Sequence, residues 1–308
     1  MTEIKVLFLG GGKRVSLARQ FLDASENLDI GCKLYSYELD AFQPIGQLAE
    51  IIVGVKWSDN RVKSDISDIL VTKQIDLVIA NVDPATKILS ELKLSHPAAS
   101  FCSNIDTVNA CFSKKMLTEM CIERSISIIP SAHDPLDFPC FVKPDFGSAS
   151  EGARVIYSNE ELESALLNDP TLITQKYIKG AEYTVDCYIE QSGKILGISP
   201  RIRIATAGGE VTESKTVDDK RIVSRSEEVI AKLDLTGPVT LQFIESTETQ
   251  ELFLMEVNAR FGGGVVLSIE SGFDYPLMMI KELLQQTNSR AHFKKSMVMK
   301  RYFSEVFK

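Results

Sequence analysis

Over the first hundred residues, short apolar runs alternate with stretches whose apolar residues recur at three- and four-residue spacing. IKVLFLG, KLYSYE, EIIVGV and DLVIANV predict strands, while Val15, Ala18, Phe21 and Leu22 mark one helical stripe and Ile66, Ile69 and Leu70 another. Strands separated by helices pair in parallel, so residues 1–107 are expected to form an open, Rossmann-like α/β domain with helices on both faces of its sheet. From Asn104 to about Arg124 the pattern is helical, and Pro130 breaks the chain before FPCFVKP. Beyond it, FVKP, ARVIY, LITQKYI, YTVDCYI, ILGISPRIRI, VTLQFIE and LFLMEVNA predict a mostly antiparallel α+β region, with helices at Glu160–Leu167 and Ser226–Leu233.

Composition narrows the function classes. The 308 residues carry a net charge of -8, and the pI is near 5.1; both argue against a surface built to neutralise nucleic-acid phosphates. No apolar run approaches the roughly 18 residues that span a bilayer, and the chain enters its first strand without a basic leader, which predicts a cytoplasmic protein with no membrane partner. Six cysteines are scattered without a CxxC pair and three histidines lie far apart, so no zinc site is expected. Each cysteine is expected to be a small buried hydrophobe, without a catalytic role.

Gly10-Gly11-Gly12 follows the first strand and opens a helix, a place where backbone amides receive anions. A dinucleotide fingerprint wants a small residue where Val15 stands, and Glu38 or Asp40 matches its ribose-binding acid only loosely, so a tight turn is the favoured expectation. Lys143 in FVKP precedes the small-residue loop Gly147–Gly152; a strand-borne lysine beside such a loop suits a phosphate. QKYIKGAE, Gln175 to Glu182, offers extended backbone to a purine edge and then an acid for ribose hydroxyls. The richest segment sets Gln242 fourteen residues before Glu256, with Asn258 two further on and Arg260 two beyond that. Alternation puts Glu256, Asn258 and Arg260 on one strand face, and the oxygens of Gln242, Glu256 and Asn258 suit a hard cation such as magnesium. Arg260 then suits a terminal phosphate, while Leu252, Leu254, Val257 and Phe261 make the other face apolar.

Lys115 on a helix, FVKP with its Gly/Ser loop, QKYIKGAE, and Gln242 followed by EVNARFGGG stand in an order and spacing that resemble the ATP-grasp superfamily, most of all its carbamoyl-phosphate-synthase-large-chain-like branch. The resemblance implies a Rossmann-like pre-ATP-grasp domain at 1–107. It implies an α+β ATP-grasp fold at 108–290, with a small lid lobe at about 120–180 and a large lobe at about 181–290, and a C-terminal extension at 291–308. It further implies that Lys115 and Lys143 contact ATP phosphates, that Ser148, Ser150 and Gly152 belong to a lid over them, and that Gln175, Lys176, Tyr177 and Ile178 form the hinge reading adenine. By the same resemblance Glu182 holds the ribose, Gln242, Glu256 and Asn258 bind Mg2+ (Mn2+ being an alternative), and Arg260 neutralises the transferred phosphoryl group. Lys114 stands where the family has an acid or Asn, so Lys114 competes with Lys115 for the first phosphate contact. One half rather than two tandem halves, and no glutaminase region, argue against carbamoyl phosphate synthesis itself.

The implied activity is carboxylate-amine ligation through an acyl phosphate, releasing ADP and phosphate, with a small carboxylate and an amine as substrates; a homo-oligomer is left open. Arg201, Arg203 and Lys215 flank IATAGGEVTESK, expected to be a loop that is either solvated or turned toward a carboxylate substrate. The alternatives are a non-catalytic ATP-binding regulatory protein and a Rossmann oxidoreductase using the Gly10 loop.

Overall fold

The structure is a computed structural model describing residues 2–132, 138–147, 151–208, 210–294 and 296–308. Four strands, β1 (Glu3–Leu9), β2 (Gly31–Glu38), β3 (Ala49–Val53) and β4 (Leu77–Ala80), form a parallel sheet in the order β3-β2-β1-β4. Helices α1 (Val15–Glu26), α2 (Val62–Thr72) and α3 (Asp83–Leu92) connect or follow them. Both faces of β1 are covered, as parallel strands require. Ile4, Val6 and Phe8 pack with Phe21 of α1, while Leu7 and Leu9 pack with Ile66 of α2 and Leu89 of α3.

The expected helix from Asn104 to Arg124 is two helices, α4 (Ile105–Phe112) and α5 (Lys114–Glu123). Ser113 between them is extended, and its hydroxyl accepts from the Met116 N–H as the cap of α5. Residue 107 lies inside α4, so a boundary drawn there cuts a helix.

A small antiparallel sheet follows, in the order β6-β5-β7, from β5 (Cys140–Pro144), β6 (Arg154–Ile156) and β7 (Leu172–Lys176), with α6 (Asn159–Asn168) behind it. The large sheet is antiparallel and six-stranded, in the order β12-β11-β8-β9-β10-β13. Its strands are β8 (Gly180–Ile189), β9 (Ile195–Ala207), β10 (Glu210–Thr216), β11 (Gly237–Ser246), β12 (Leu252–Asn258) and β13 (Val298–Lys300), and α7 (Lys220–Leu233) packs on it. Two further helices, α8 (Val265–Glu270) and α9 (Tyr275–Leu283), join the core of the parallel sheet through Val265, Tyr275 and Met279. Between the two antiparallel sheets, the 127–132 segment bridges to β12 at Ile128 and to β7 at Gln175.

Within IATAGGEVTESK, residues 204–207 and 210–215 are strand rather than loop. β9 and β10 pair from Thr216 opposite Arg201 to Glu210 opposite Ala207. Its Thr, Val and Ile residues favour extended backbone, and Gly208 at φ 56° supplies the turn. Among the described residues no helix is long and apolar enough to cross a membrane.

Candidate active site

The large sheet has one apolar and one polar face. Val185, Cys187, Val239, Leu241, Phe243, Leu254 and Val257 belong to a core shared with Leu117 of α5 and Val229 of α7. On the other face, register places Gln242 opposite Glu256 and Thr184, and Thr240 opposite Asn258 and Asp186. In an unbroken strand Leu254, Glu256 and Asn258 would share a face. The register shifts between Gln242/Glu256 and Phe243/Leu254, leaving Met255 without a partner across the ladder. That bulge lets Leu254 and Val257 enter the core while Glu256 and Asn258 point the other way.

Sequence alternation placed Arg260 on the same strand, but β12 ends at Asn258 and Arg260 lies in the bend beyond it. Its side chain nevertheless turns back. Nη2 lies 3.4 Å from Asn258 Oδ1, and Nε donates at 2.5 Å to Asp83 Oδ1 in the first turn of α3.

Across from this face stands β5, whose Lys143 is half-buried and electrostatically coupled to Glu256. Burial pushes the Lys143 pKa down to about 8, with Glu256 opposing the shift and Lys114 adding to it. Among the described residues the side chains of Lys143, Gln242 and Glu256 make no hydrogen bond or ion pair within the protein. Half-buried charged groups left uncommitted are costly unless a ligand satisfies them. Glu256 is thus an available hard oxygen donor and Lys143 an available cation.

The helix that carries Lys114 and Lys115 is tied to the loop after β5. Asp145 Oδ1 accepts from the Ser113 hydroxyl and from the Lys115 N–H, both at 2.9 Å. The Lys115 side chain is exposed, whereas Lys114 Nζ donates at 3.1 Å to the carbonyls of Asp145 and Gly147. Lys114, rather than Lys115, is therefore the one turned toward the loop beside Lys143. Ser148 and Ser150 lie outside the described residues; Gly152, at φ 73°, brings the chain back into β6 against Pro144.

Of the four expected hinge residues, Gln175 and Lys176 lie in β7 and pair with β5, and the Lys176 N–H donates to the Pro130 carbonyl at 2.9 Å. Tyr177 and Ile178 are past the ladder, with no backbone bond among the described residues. The Gln175 side chain is buried and its Oε1 has no partner. Glu182 is held by Arg203 at 2.6 Å.

Sequence reasoning named Arg201 as a flank of the expected loop but missed its buried contacts on the polar face. Arg201 is 2% exposed and pairs with the fully buried Asp186 through Nε at 2.8 Å. Ser268 and Thr240 also donate to Asp186, yet Arg201 Nη1 has no partner. Gly262 and Gly264 sit against this guanidinium: a Cβ at Gly264 would lie 2.6 Å from Arg201 Cζ. The close approach is why glycine stands there.

The Gly10–Gly12 loop, by contrast, is closed. Gly10 N–H donates to the Tyr37 carbonyl at 3.1 Å, and the Glu38 carboxylate, which accepts from the Ser36 hydroxyl at 2.6 Å, lies beside Gly12. Burial raises the Glu38 pKa, partly opposed by the Ser36 hydroxyl and the Gly11 and Gly12 amides. The anion facing this helix start is the chain's own Glu38.

Residues 168–304 match the family model described as ATP-grasp in the biosynthetic pathway with Ter operon. N5-carboxyaminoimidazole synthetase from Staphylococcus aureus, solved with ADP, superposes with a TM-score of 0.75 at 14% identity, over 97% of this chain and 82% of that one. The fold is the ATP-grasp fold. L-amino acid ligase from Bacillus licheniformis gives a TM-score of 0.72 at 15% identity, over 94% of this chain and 76% of that one. D-alanine–D-alanine ligase from Bacillus anthracis is 29% identical over 90 residues, 28% of this chain and 30% of that enzyme. The chain thus aligns with about a third of the length of that ATP-grasp relative.

Proposed function

We propose that this protein is an ATP-dependent carboxylate-amine ligase working through an acyl phosphate and releasing ADP and phosphate. The observation that carries the reading is the convergence of uncommitted polar groups between the two antiparallel sheets: Lys143 from one, and Gln242 and Glu256, with Asn258 beside them, from the other. The ADP-bound relative of the same fold and the two amide-forming ligases above support it. In this reading the parallel sheet is a Rossmann-like domain preceding the two ATP-grasp lobes, and residues 291–308 add an edge strand to the large sheet.

ATP enters between the sheets. Lys143 and Lys114 meet its phosphates, Tyr177 and Ile178 offer free backbone to the adenine edge, and Glu182, released from Arg203, accepts from the ribose. The donor set fits Mg2+, because Glu256 supplies a carboxylate and Gln242 and Asn258 supply neutral oxygens, a set completed by nucleotide phosphates rather than by more protein acids. Bound there, the ion would neutralise charge on the phosphates.

The chain's own part in catalysis is positioning and charge. A carboxylate oxygen of the acid attacks the γ-phosphorus, the bond to the β–γ bridging oxygen breaks, and ADP leaves. Arg260 faces the charge that builds on the phosphoryl group. An amine then attacks the acyl carbon and phosphate departs, with the amine proton passing to solvent or phosphate. No protein nucleophile is needed.

Screening acids and amines in pairs for substrate-dependent ADP release tests the proposal. Release that needs both partners supports it. Nucleotide binding without turnover in any pairing would favour the regulatory alternative.

A further inference from the structure

The Gly262–Gly264 loop is bracketed by more positive charge than the transfer chemistry uses. Four guanidinium groups, Arg14, Arg201, Arg260 and Arg301, gather there against three carboxylates, Asp83, Asp186 and Glu210. Arg260 is taken by Asp83 and Arg201 by Asp186. Glu210 alone serves the other two: it pairs with Arg301 at 3.1 Å and acts on Arg14 only through space. Arg301 also donates to the Gly263 carbonyl.

Arg14 is the unexplained member. It precedes α1, where the helix dipole disfavours a cation, and its side chain does not cap the helix. It is half-buried, and among the described residues its guanidinium makes neither a hydrogen bond nor an ion pair. A Cβ at Gly263 would lie 3.2 Å from Arg14 Nη1 and 2.5 Å from Glu210 Oε2. One residue on, Arg201 presents its buried, partnerless Nη1 to Gly264. Two guanidinium groups with spare donors, from the start of α1 and from β9 of the large sheet, therefore meet at one glycine loop.

We infer that Arg14, Arg201 and Arg301 form an anion site at Gly262–Gly264 for a second anionic group of the acid substrate, a carboxylate or a phosphate, apart from the carboxylate that is phosphorylated. The inference rests on the ligase reading for the word substrate, but the anion site itself does not. A planar donor fork suits either group. The substrate class is then an acid with two anionic ends, bridging the parallel-sheet domain to the nucleotide cleft.

Inorganic phosphate and acetate, titrated calorimetrically into the full chain saturated with Mg2+ and a non-hydrolysable ATP analogue, test this. With the γ-phosphate position filled, at least one probe should bind to the wild type. Arg14→Gln should weaken that probe tenfold or more and leave the analogue's affinity within twofold, while Lys13→Gln, which removes the same charge from the exposed neighbour, should change neither. Gly263→Ala should weaken the probe without removing any charge. Phosphate alone or acetate alone binding tells which group is held. No binding of either probe, equal binding to Arg14→Gln, or a matching loss for the analogue would overturn the anion site. If the analogue fails to bind at all, the ligase reading falls, and the same titrations without nucleotide still judge the site.

Discussion

Two glycine triplets follow strands in this chain, Gly10–Gly12 after β1 and Gly262–Gly264 after β12, and they do opposite things. The first opens onto a helix, yet its Gly10 amide donates to the Tyr37 carbonyl and the carboxylate of Glu38 stands beside Gly12. The second stands before the short α8 and is pressed between arginines that keep unused donors. Glycine at a strand end permits close approach, but the neighbours decide what approaches. In the first loop it is the protein's own acid; in the second it is cationic side chains.

Breaking the open side should have the largest effect. Glu256→Gln removes the one carboxylate among the proposed metal donors and is expected to lower acid-dependent ADP release by about a hundredfold or more, the scale of losing a principal electrostatic stabiliser. A coupled assay at ordinary magnesium measures it, and near-wild-type turnover would remove Glu256 from the site. Next, Lys143→Ala should weaken ATP binding by about tenfold, roughly 1.4 kcal/mol, with the thermal unfolding curve little changed because the side chain makes no internal bond. Calorimetric affinity within twofold of wild type would rule out the phosphate role. Gln242→Ala should cost less, since a neutral amide holds a hard cation more weakly than a carboxylate, and raised magnesium should restore part of the rate.

The closed side should respond in stability rather than in binding. Glu38→Ala leaves the buried Ser36 hydroxyl without its acceptor and should destabilise the fold by about 1–3 kcal/mol, read in denaturant unfolding, with ATP affinity unchanged. A gain of nicotinamide binding would contradict the closed reading. The smallest effect is expected at the thiols. Burial pushes Cys32 up to about 11, Cys121 up to about 11 and Cys102 up to about 12, and raises Cys111, Cys140 and Cys187 as well. At pH 7 these groups are thiols, so native protein should react slowly with iodoacetamide and keep its activity. Fast labelling with loss of turnover would reopen a cysteine mechanism.

The strand and helix periodicities of the first hundred residues were legible because both faces of a parallel sheet must be apolar, and that demand is written directly in runs such as IKVLFLG. The pairing of Gln242 with Glu256 was legible from the short connection between two adjacent strands, which sets them opposite each other in the antiparallel ladder. What was hidden depended on contacts between distant segments. The bulge at Met255 is set by two strands together, so parity alone puts Leu254 on the face of Glu256. Choosing between Lys114 and Lys115 required the loop after β5, some thirty residues away, whose Asp145 and Gly147 carbonyls accept from Lys114. The β9–β10 hairpin was masked by a turn flanked with Thr and charged residues, whose extended pairing only the neighbouring strand reveals. Arg14 did leave a trace: a cation at the wrong end of a helix.

The most direct test of the central claim uses the nucleotide product and the intermediate together. With the true acid present and the amine withheld, hydroxylamine should intercept an acyl phosphate as the hydroxamate while ADP accumulates in step with it. Lys143, Glu256 and Arg260 are proposed to serve the γ-phosphate, so the account predicts ADP and hydroxamate in equal amounts. AMP and pyrophosphate as products would mean attack at the α-phosphate, and would contradict the mechanism while leaving the fold untouched.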